Sequence, residues 1–400
     1  MSLGNPVAAE SRSALATPTL SSSLVIFLAI CCGAVVANLY YAQPIVELIA
    51  PSIGLSSQSA SLIVSLTQFG YALGLLFLVP LADLLENRRL LVGFTLAAAV
   101  CLAVAALSTT PSLFLVSSLL IGLTSVAVQI LVPLAAHMAP EASRGRVVGN
   151  IMSGLLLGIL LSRPLSSTLA DAFGWRGVFF GAAGLMTVMA LVMGLILPRR
   201  VPAHRASYPA LIASVFALAR RYPLLRERSL YQGLLFASFS SFWTIAPIEL
   251  VRHYGFSQGQ VALFALVGAV GAVAAPIAGR LADAGHGVRS TAAALVLAPL
   301  ALLAGSLQGA GWLWMVVTAV ALDFAVQMNM VLGQREVYAL DPHSRARLNA
   351  VYMTSIFVGG ALGSLFASPL YEWAGWEMFA CLSALPPASA LALFVFRPRA

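Results

Sequence analysis

Apolar residues run along this chain in long stretches, and polar residues are confined to short gaps between them. A helix needs about 20 mostly apolar residues to cross the hydrocarbon core of a bilayer. Such stretches fall at 24–46, 58–82, 89–108, 112–137, 147–170 and 177–197. Six more follow at 229–251, 259–282, 289–309, 312–338, 347–370 and 376–396. The pattern predicts an all-α integral membrane protein of twelve transmembrane helices, here called spans 1 to 12. Leu24–Ala37 mimics the apolar core of a secretory leader, but the run continues to Val46 and more spans follow. It is expected to stay in place as span 1.

The two halves repeat at an offset of about 200 residues. Pro44-Ile45-Val46-Glu47-Leu48 is echoed by Pro247-Ile248-Glu249-Leu250, and Leu81-Ala82-Asp83 by Leu281-Ala282-Asp283. Ala127-Val128-Gln129 matches Ala325-Val326-Gln327, Arg144-Gly145-Arg146 matches Arg345-Ala346-Arg347, and Gly174-Trp175 matches Gly375-Trp376. Each half therefore forms a six-helix bundle, and the two bundles are pseudo-symmetric. Parallel repeats with a site at their interface are the architecture of a transporter that rocks between two open states.

The chain divides into an N-terminal tail (1–23), the first bundle (24–197), a linker (198–228), the second bundle (229–396) and a short tail (397–400). Within the linker, Leu211, Val215, Leu218 and Tyr222 recur at helical spacing with arginines after them. That spacing predicts an amphipathic helix lying on the membrane face.

Composition agrees with lipid as the solvent. Charged residues make up 9% of the chain, against roughly 25% in soluble domains. The net charge of +8 comes from arginine alone, in short loops between apolar runs. This argues against a nucleic-acid partner. Arg88, Arg89, Arg144, Arg146, Arg220 and Arg221 lie on the side of the termini, whereas the opposite loops hold Arg176 and Arg252. Such asymmetry predicts a bacterial inner-membrane protein with both termini cytoplasmic. Cys31, Cys32, Cys101 and Cys381 all sit in apolar runs with no metal-ligand spacing. No phosphate-binding glycine loop or catalytic constellation is present, so an enzyme or an ATP-driven pump is not expected, and neither is a cofactor beyond a proton gradient. The chain is expected to act as a monomer on a small-molecule substrate.

Polar side chains at bilayer depth are costly unless they face protein or water. Asp323, Gln327 and Gln334 share one sector of span 10, and Ser118, Gly122, Ser125 and Gln129 share one of span 4. Asn38 and Tyr41 share a face of span 1, and the repeat points to Ser240 and Trp243 on span 7. Gln68 on span 2 and Phe236 on span 7 complete the candidate substrate-binding set. Each of these can instead serve helix packing. Gly154 and Gly158, like Gly359 and Gly363, have the spacing of close helix seams. Arg163 lies on the face of span 5 opposite Gly154. It either snorkels to headgroups or faces the cavity and binds an anionic group. Asp323 is about eleven residues into span 10, roughly 16 Å deep at 1.5 Å per residue. It is the deepest acidic group and the candidate proton-coupling residue.

Asp83 is expected to pair with Arg88, Arg89 or Arg146 and so to hold one closed state; Asp283 repeats it. These surroundings resemble the loop pattern of the major facilitator superfamily, roughly G-x-L-A-D-R-x-G-R-R. The copies here are Val79-Pro80-Leu81-Ala82-Asp83-Leu84-Leu85-Glu86-Asn87-Arg88-Arg89 and Gly279-Arg280-Leu281-Ala282-Asp283-Ala284-Gly285. Gly149 to Gly154 with Gly158, Arg163 and Pro164 is similar to the fifth-span motif of that family's antiporters. The stretch through Gly174-Trp175-Arg176 looks closest to the bacterial drug and metabolite efflux branch, which includes exporters of sugars and purine ribonucleosides. One departure stands in span 4, where the antiporters often carry an arginine and this chain has Ser117 and Ser118 before Gly122. The resemblance covers residues 20–398 and implies the major facilitator fold, with spans 1, 4, 7 and 10 around a central cavity. It also implies proton-coupled efflux by alternating access. Proton symport with import, or a transporter-like receptor that binds without flux, remain the alternatives.

Overall fold

The computed structural model describes residues 21–202, 207–307, 311–341 and 344–396. The two terminal tails, apart from residues 21–23, lie outside the described residues, as do Arg205, His204 and His343. Among the described residues, eight helices are long and apolar enough to cross a membrane. Two of them, Arg144–Ile196 and Arg345–Val395, have 53 and 51 residues. At 1.5 Å per residue either would run to about 80 Å, far more than a bilayer of about 30 Å. Each reverses at a glycine: Gly174 has φ 72° and ψ 165°, and Gly375 has φ 70° and ψ 179°. A side chain is disfavoured at that positive φ, so glycine permits the turn. The reversals separate span 5 from span 6 and span 11 from span 12. The shorter apolar helices Ser22–Ala37 and Gln258–Val267 begin spans 1 and 8, which brings the spans to twelve.

The repeat is visible in how these turns are anchored. Trp175, after Gly174, packs edge-on against Phe114 and Phe179. Trp376, after Gly375, packs on Phe242 and Phe379. Arg176 donates to the Ser108 carbonyl at the end of span 3 (3.0 Å), and Trp376 donates to the Gly305 carbonyl at the end of span 9 (2.8 Å).

Close seams hold each bundle together. A Cβ at Gly154 would lie 2.7 Å from the Cβ of Ala29, and one at Gly33 would lie 2.6 Å from the Gly154 carbonyl oxygen. Spans 1 and 5 therefore touch backbone to backbone. Such contact replaces the hydrophobic drive that lipid does not supply. Gly359 and Gly363 press likewise on Gly233 and Ala237 of span 7. The second bundle also carries a half-buried ion pair, in which buried Arg228 grips both oxygens of the partly exposed Glu336 (Nε to Oε2 2.8 Å) and donates to Thr291.

The linker contains the helix Tyr208–Arg221, with Leu211, Val215 and Leu218 buried in one stripe. It packs on span 11 and span 7 and reaches span 2 through a hydrogen bond from Tyr208 Oη to the Phe77 carbonyl (2.8 Å).

Candidate functional site

Contacts between the bundles run from the centre to the side opposite the termini, called the far side below. At the far rim Arg252 of span 7 holds Glu47 of span 1 through two bonds, 2.6 and 3.1 Å, and Glu372 through another at 2.5 Å. One layer deeper, Ser61 and Ser368 exchange backbone-to-hydroxyl bonds, and Ser65 donates to the Ala361 carbonyl. Nearer the centre, Gln68 donates to Ser240 Oγ (2.6 Å). Tyr71 meets Phe357 edge-on at 4.5 Å. The far side is thus closed by ties that cross from one bundle to the other.

At the centre four spans converge on one charged group from each bundle. Asp323 on span 10 is 6% exposed and Arg163 on span 5 is 5% exposed. Counting 1.5 Å per residue, Asp323 lies about 15 Å from the start of its helix at Leu313. Arg163 lies about 16 Å from the reversal at Gly174, and Trp243 about 14 Å from the helix end at Arg252. All three occupy one level near the middle of the bilayer. The Trp243 indole N–H donates to Asp323 Oδ1 at 2.8 Å. The Arg163 guanidinium lies over the same indole at 4.5 Å, and over Tyr40 at 5.0 Å and Phe239 at 5.5 Å. Its Nε donates to Gln43 Oε1 at 2.9 Å, while its Nη2 has no partner. Arg163 and Asp323 both contact Trp243 across the interface, without a direct ion pair between them among the described residues. The indole bridges them.

The burial of Asp323 has a local cause. Span 8 winds tightly over Gly268–Val273, and its backbone presses on the carboxylate. A Cβ at Gly268 would lie 2.7 Å from Asp323 Oδ2 and 2.8 Å from the Trp243 ring.

The structure gathers several sequence candidates here and disperses others. Phe236 stacks on Phe239 at 5.1 Å, so Trp243, Phe236 and Gln68 join the central layer. Gln327 sits one turn from Asp323 towards the terminal side, half-buried. Gln129 donates to Tyr71 Oη at 3.2 Å. Asn38 turns into its own bundle, donating to Ser125 and Met186. Snorkelling of Arg163 is corrected: it is buried among aromatic rings. Tyr41 lines the flank of span 1, and it is Tyr40 that lies beside Arg163. The cause is backbone winding. Span 1 tightens after Ala37, with bonds such as Tyr40 N to Ala37 O and Gln43 N to Tyr40 O. Three residues per turn bring Tyr40 and Gln43 onto one face, and both meet Arg163.

The gate residues stand differently from expectation. Asp83 is exposed and forms no ion pair among the described residues. Arg88 and Arg89 pair instead with Glu86, at 3.9 and 2.9 Å, and Arg146 is exposed and has no hydrogen bond or ion pair among the described residues. Glu86 is simply nearer along the chain. Asp283 pairs with Arg335 at 2.6 Å, both well exposed. The Arg252 clasp and Gln43 were not among the candidates. Arg252 had a signal: it is one of two arginines in the far-side loops, with Glu47 and Glu372 at neighbouring span ends. Among the described residues no cluster of three or more acidic, histidine or cysteine side chains is arranged to hold a metal.

Comparison with known proteins agrees with this architecture. The sequence profile of the Major Facilitator Superfamily matches residues 25–283 and 228–400. An uncharacterized transporter of Escherichia coli O157:H7, YgaY, is 43% identical over 358 residues, spanning 89% of this chain and 91% of its own. A probable transporter of Streptomyces coelicolor, SCO4007, is 35% identical over 87% of this chain and 81% of its own. Among solved structures, a bacterial homolog of the human lysosomal transporter Spinster, inward-facing and occupied, superposes with a TM-score of 0.73 at 16% identity. It covers 94% of this chain and 96% of that one. The nucleoside transporter NupG gives 0.72 at 14% identity, over 93% and 99%. At those identities the likeness is one of fold.

Proposed function

Since the chain belongs to the major facilitator superfamily and is a membrane-embedded transporter of that type, we propose that it drives efflux of a small organic molecule by proton antiport, with Asp323 as the proton site. The observation that carries this reading is the central pair. Each bundle contributes one buried charge, at one depth, with Trp243 between them. An ionised Asp323 is balanced by Arg163 and by the indole N–H. A protonated Asp323 loses its attraction for Arg163 and so loosens one tie between the bundles. Only an interaction that differs between two states can shift their balance, and this pair spans the interface along which the bundles would part. A substrate that lodges between Arg163, Trp243 and Asp323 would compete with the proton, which is the requirement for exchange. The aromatic walls Phe236, Phe239 and Trp243 suit a flat or apolar body. On this reading the terminal side is cytoplasmic, in keeping with the arginine asymmetry, and the far-side clasp faces the periplasm. Asp83, Arg88 and Arg89, in one loop of the first bundle, would then face the second bundle across the cytoplasmic rim in the opposite state.

The test has two stages. A thermal-shift screen of purified protein identifies a ligand, since binding to the folded state alone raises apparent stability. That ligand is then loaded into proteoliposomes and its movement followed under an imposed pH gradient. Uphill movement that collapses with the gradient supports the proposal. Binding without flux makes the protein a receptor, and movement in the same direction as the proton makes it a symporter.

A further inference from the structure

On the outer flank of the first bundle, away from the central pair, spans 1, 5 and 6 enclose a groove of about 800 Å³. Its floor is the seam where spans 1 and 5 touch backbone to backbone at Gly33, Gly154 and Gly158. Its rims are the exposed Ile26, Ile30, Leu157, Leu161 and Leu165, which face lipid. From Arg146 to Leu161 the groove follows span 5 for about 22 Å at 1.5 Å per residue. That length is enough to cross one leaflet, about 15 Å of hydrocarbon, and ends close to the level of Arg163.

The mouth of the groove, on the terminal side, is chemically different. Arg146 and Asn150 lie one turn apart on the same face, both exposed. Neither has a hydrogen bond or ion pair within the described residues. Ser22 and Ser143 flank them. A free guanidinium at headgroup level above an apolar trough complements a phosphate joined to an acyl chain.

The repeat sharpens the point. In the second bundle, spans 7 and 11 are the counterparts of spans 1 and 5, and the linker helix Tyr208–Arg221 packs its buried stripe on them. Arg347, the counterpart of Arg146, donates to Ser344 Oγ at 2.9 Å. The second bundle thus covers its flank with its own amphipathic helix and occupies its arginine. Among the described residues, the first bundle leaves both open.

We propose that this groove is a binding site for an anionic phospholipid of the terminal-side leaflet, with the phosphate at Arg146 and Asn150 and an acyl chain along the glycine floor. The site is separate from the central pair, and its test involves no transport. Full-length protein would be analysed by native mass spectrometry with palmitoyl-oleoyl phosphatidylglycerol and with the phosphatidylcholine of identical chains. The wild type is expected to retain phosphatidylglycerol preferentially. Arg146→Ala should remove that preference, a loss of about five-fold for one arginine at the membrane surface, and Arg146→Lys should restore part of it. Ala34→Phe, which fills the trough, should reduce retention of both lipids. Inorganic phosphate at the same concentration should displace neither, because it lacks the chain. An unchanged preference in Arg146→Ala overturns the proposal, as does displacement by phosphate alone. Arg146 is exposed, so its substitution leaves a folded protein to measure even if Ala34→Phe does not.

Discussion

Removing the far-side clasp should move the whole molecule. Arg252 is the one cation of a triad whose acids come from both bundles: Glu47 from the first, Glu372 from the second. The three side chains are 33%, 20% and 25% exposed, so solvent screens them in part. An exposed pair is worth about 0.2–1 kcal/mol. The two-bond grip on Glu47 and the second partner put the triad at about 1–2 kcal/mol. With tenfold per 1.4 kcal/mol, Arg252→Ala should raise the ratio of far-side-open to far-side-closed molecules by about five- to thirty-fold. Spin labels at Gln58 and His253, in a background with Cys31, Cys32, Cys101 and Cys381 replaced, would report the distance distribution. The variant should gain a longer-distance population. Arg252→Lys should fall between, because it keeps the charge but loses the planar fork. High salt should shift the wild type towards the variant. A distribution in Arg252→Ala that matches the wild type at low salt would mean that the clasp does not hold the closed state.

Three further outcomes follow from the packing and the central pair. Gly158→Val places a side chain on the Gly33 backbone and should cost about 1–3 kcal/mol, read as a lower melting temperature in detergent; Gly181→Ala, which meets nothing within 4 Å, should melt as the wild type does. Arg228→Ala leaves the partly exposed Glu336 without its partner and should cost about 1–3 kcal/mol, whereas Arg228→Met with Glu336→Gln should recover part of the melting temperature. Trp243→Phe keeps the ring and deletes the donor to Asp323; proton-driven flux should fall about ten-fold, on the scale of a bond to a charged group, and a variant that melts early but transports normally would contradict the role given to the indole.

The twelve spans and their repeat were readable because both follow from hydropathy, which lipid enforces on every stretch of the chain. Gly174-Trp175 and Gly375-Trp376 even marked the two reversals that hide inside continuous helices. Side-chain direction was readable only where the helix is regular. On span 5 the ideal angle between Gly154 and Arg163 is 180°, and the two do point oppositely, one to span 1 and the other to the centre. On span 1 the same arithmetic grouped Asn38 with Tyr41 and did not point to Tyr40, because the winding tightens after Ala37. Gln43 was lost for the same reason. Partners were harder still. A carboxylate such as Asp83 has several arginines in reach by sequence, and which one it meets depends on the state the bundles adopt.

The account rests most heavily on Asp323. With a ligand in hand, wild-type protein and Asp323→Asn would be placed in matched proteoliposomes, and gradient-driven accumulation measured beside ligand exchange at equilibrium. The asparagine keeps the shape and the bond from Trp243 but cannot carry a proton. The expected result is lost accumulation with exchange retained; uphill transport by Asp323→Asn with the wild-type pH profile would contradict it.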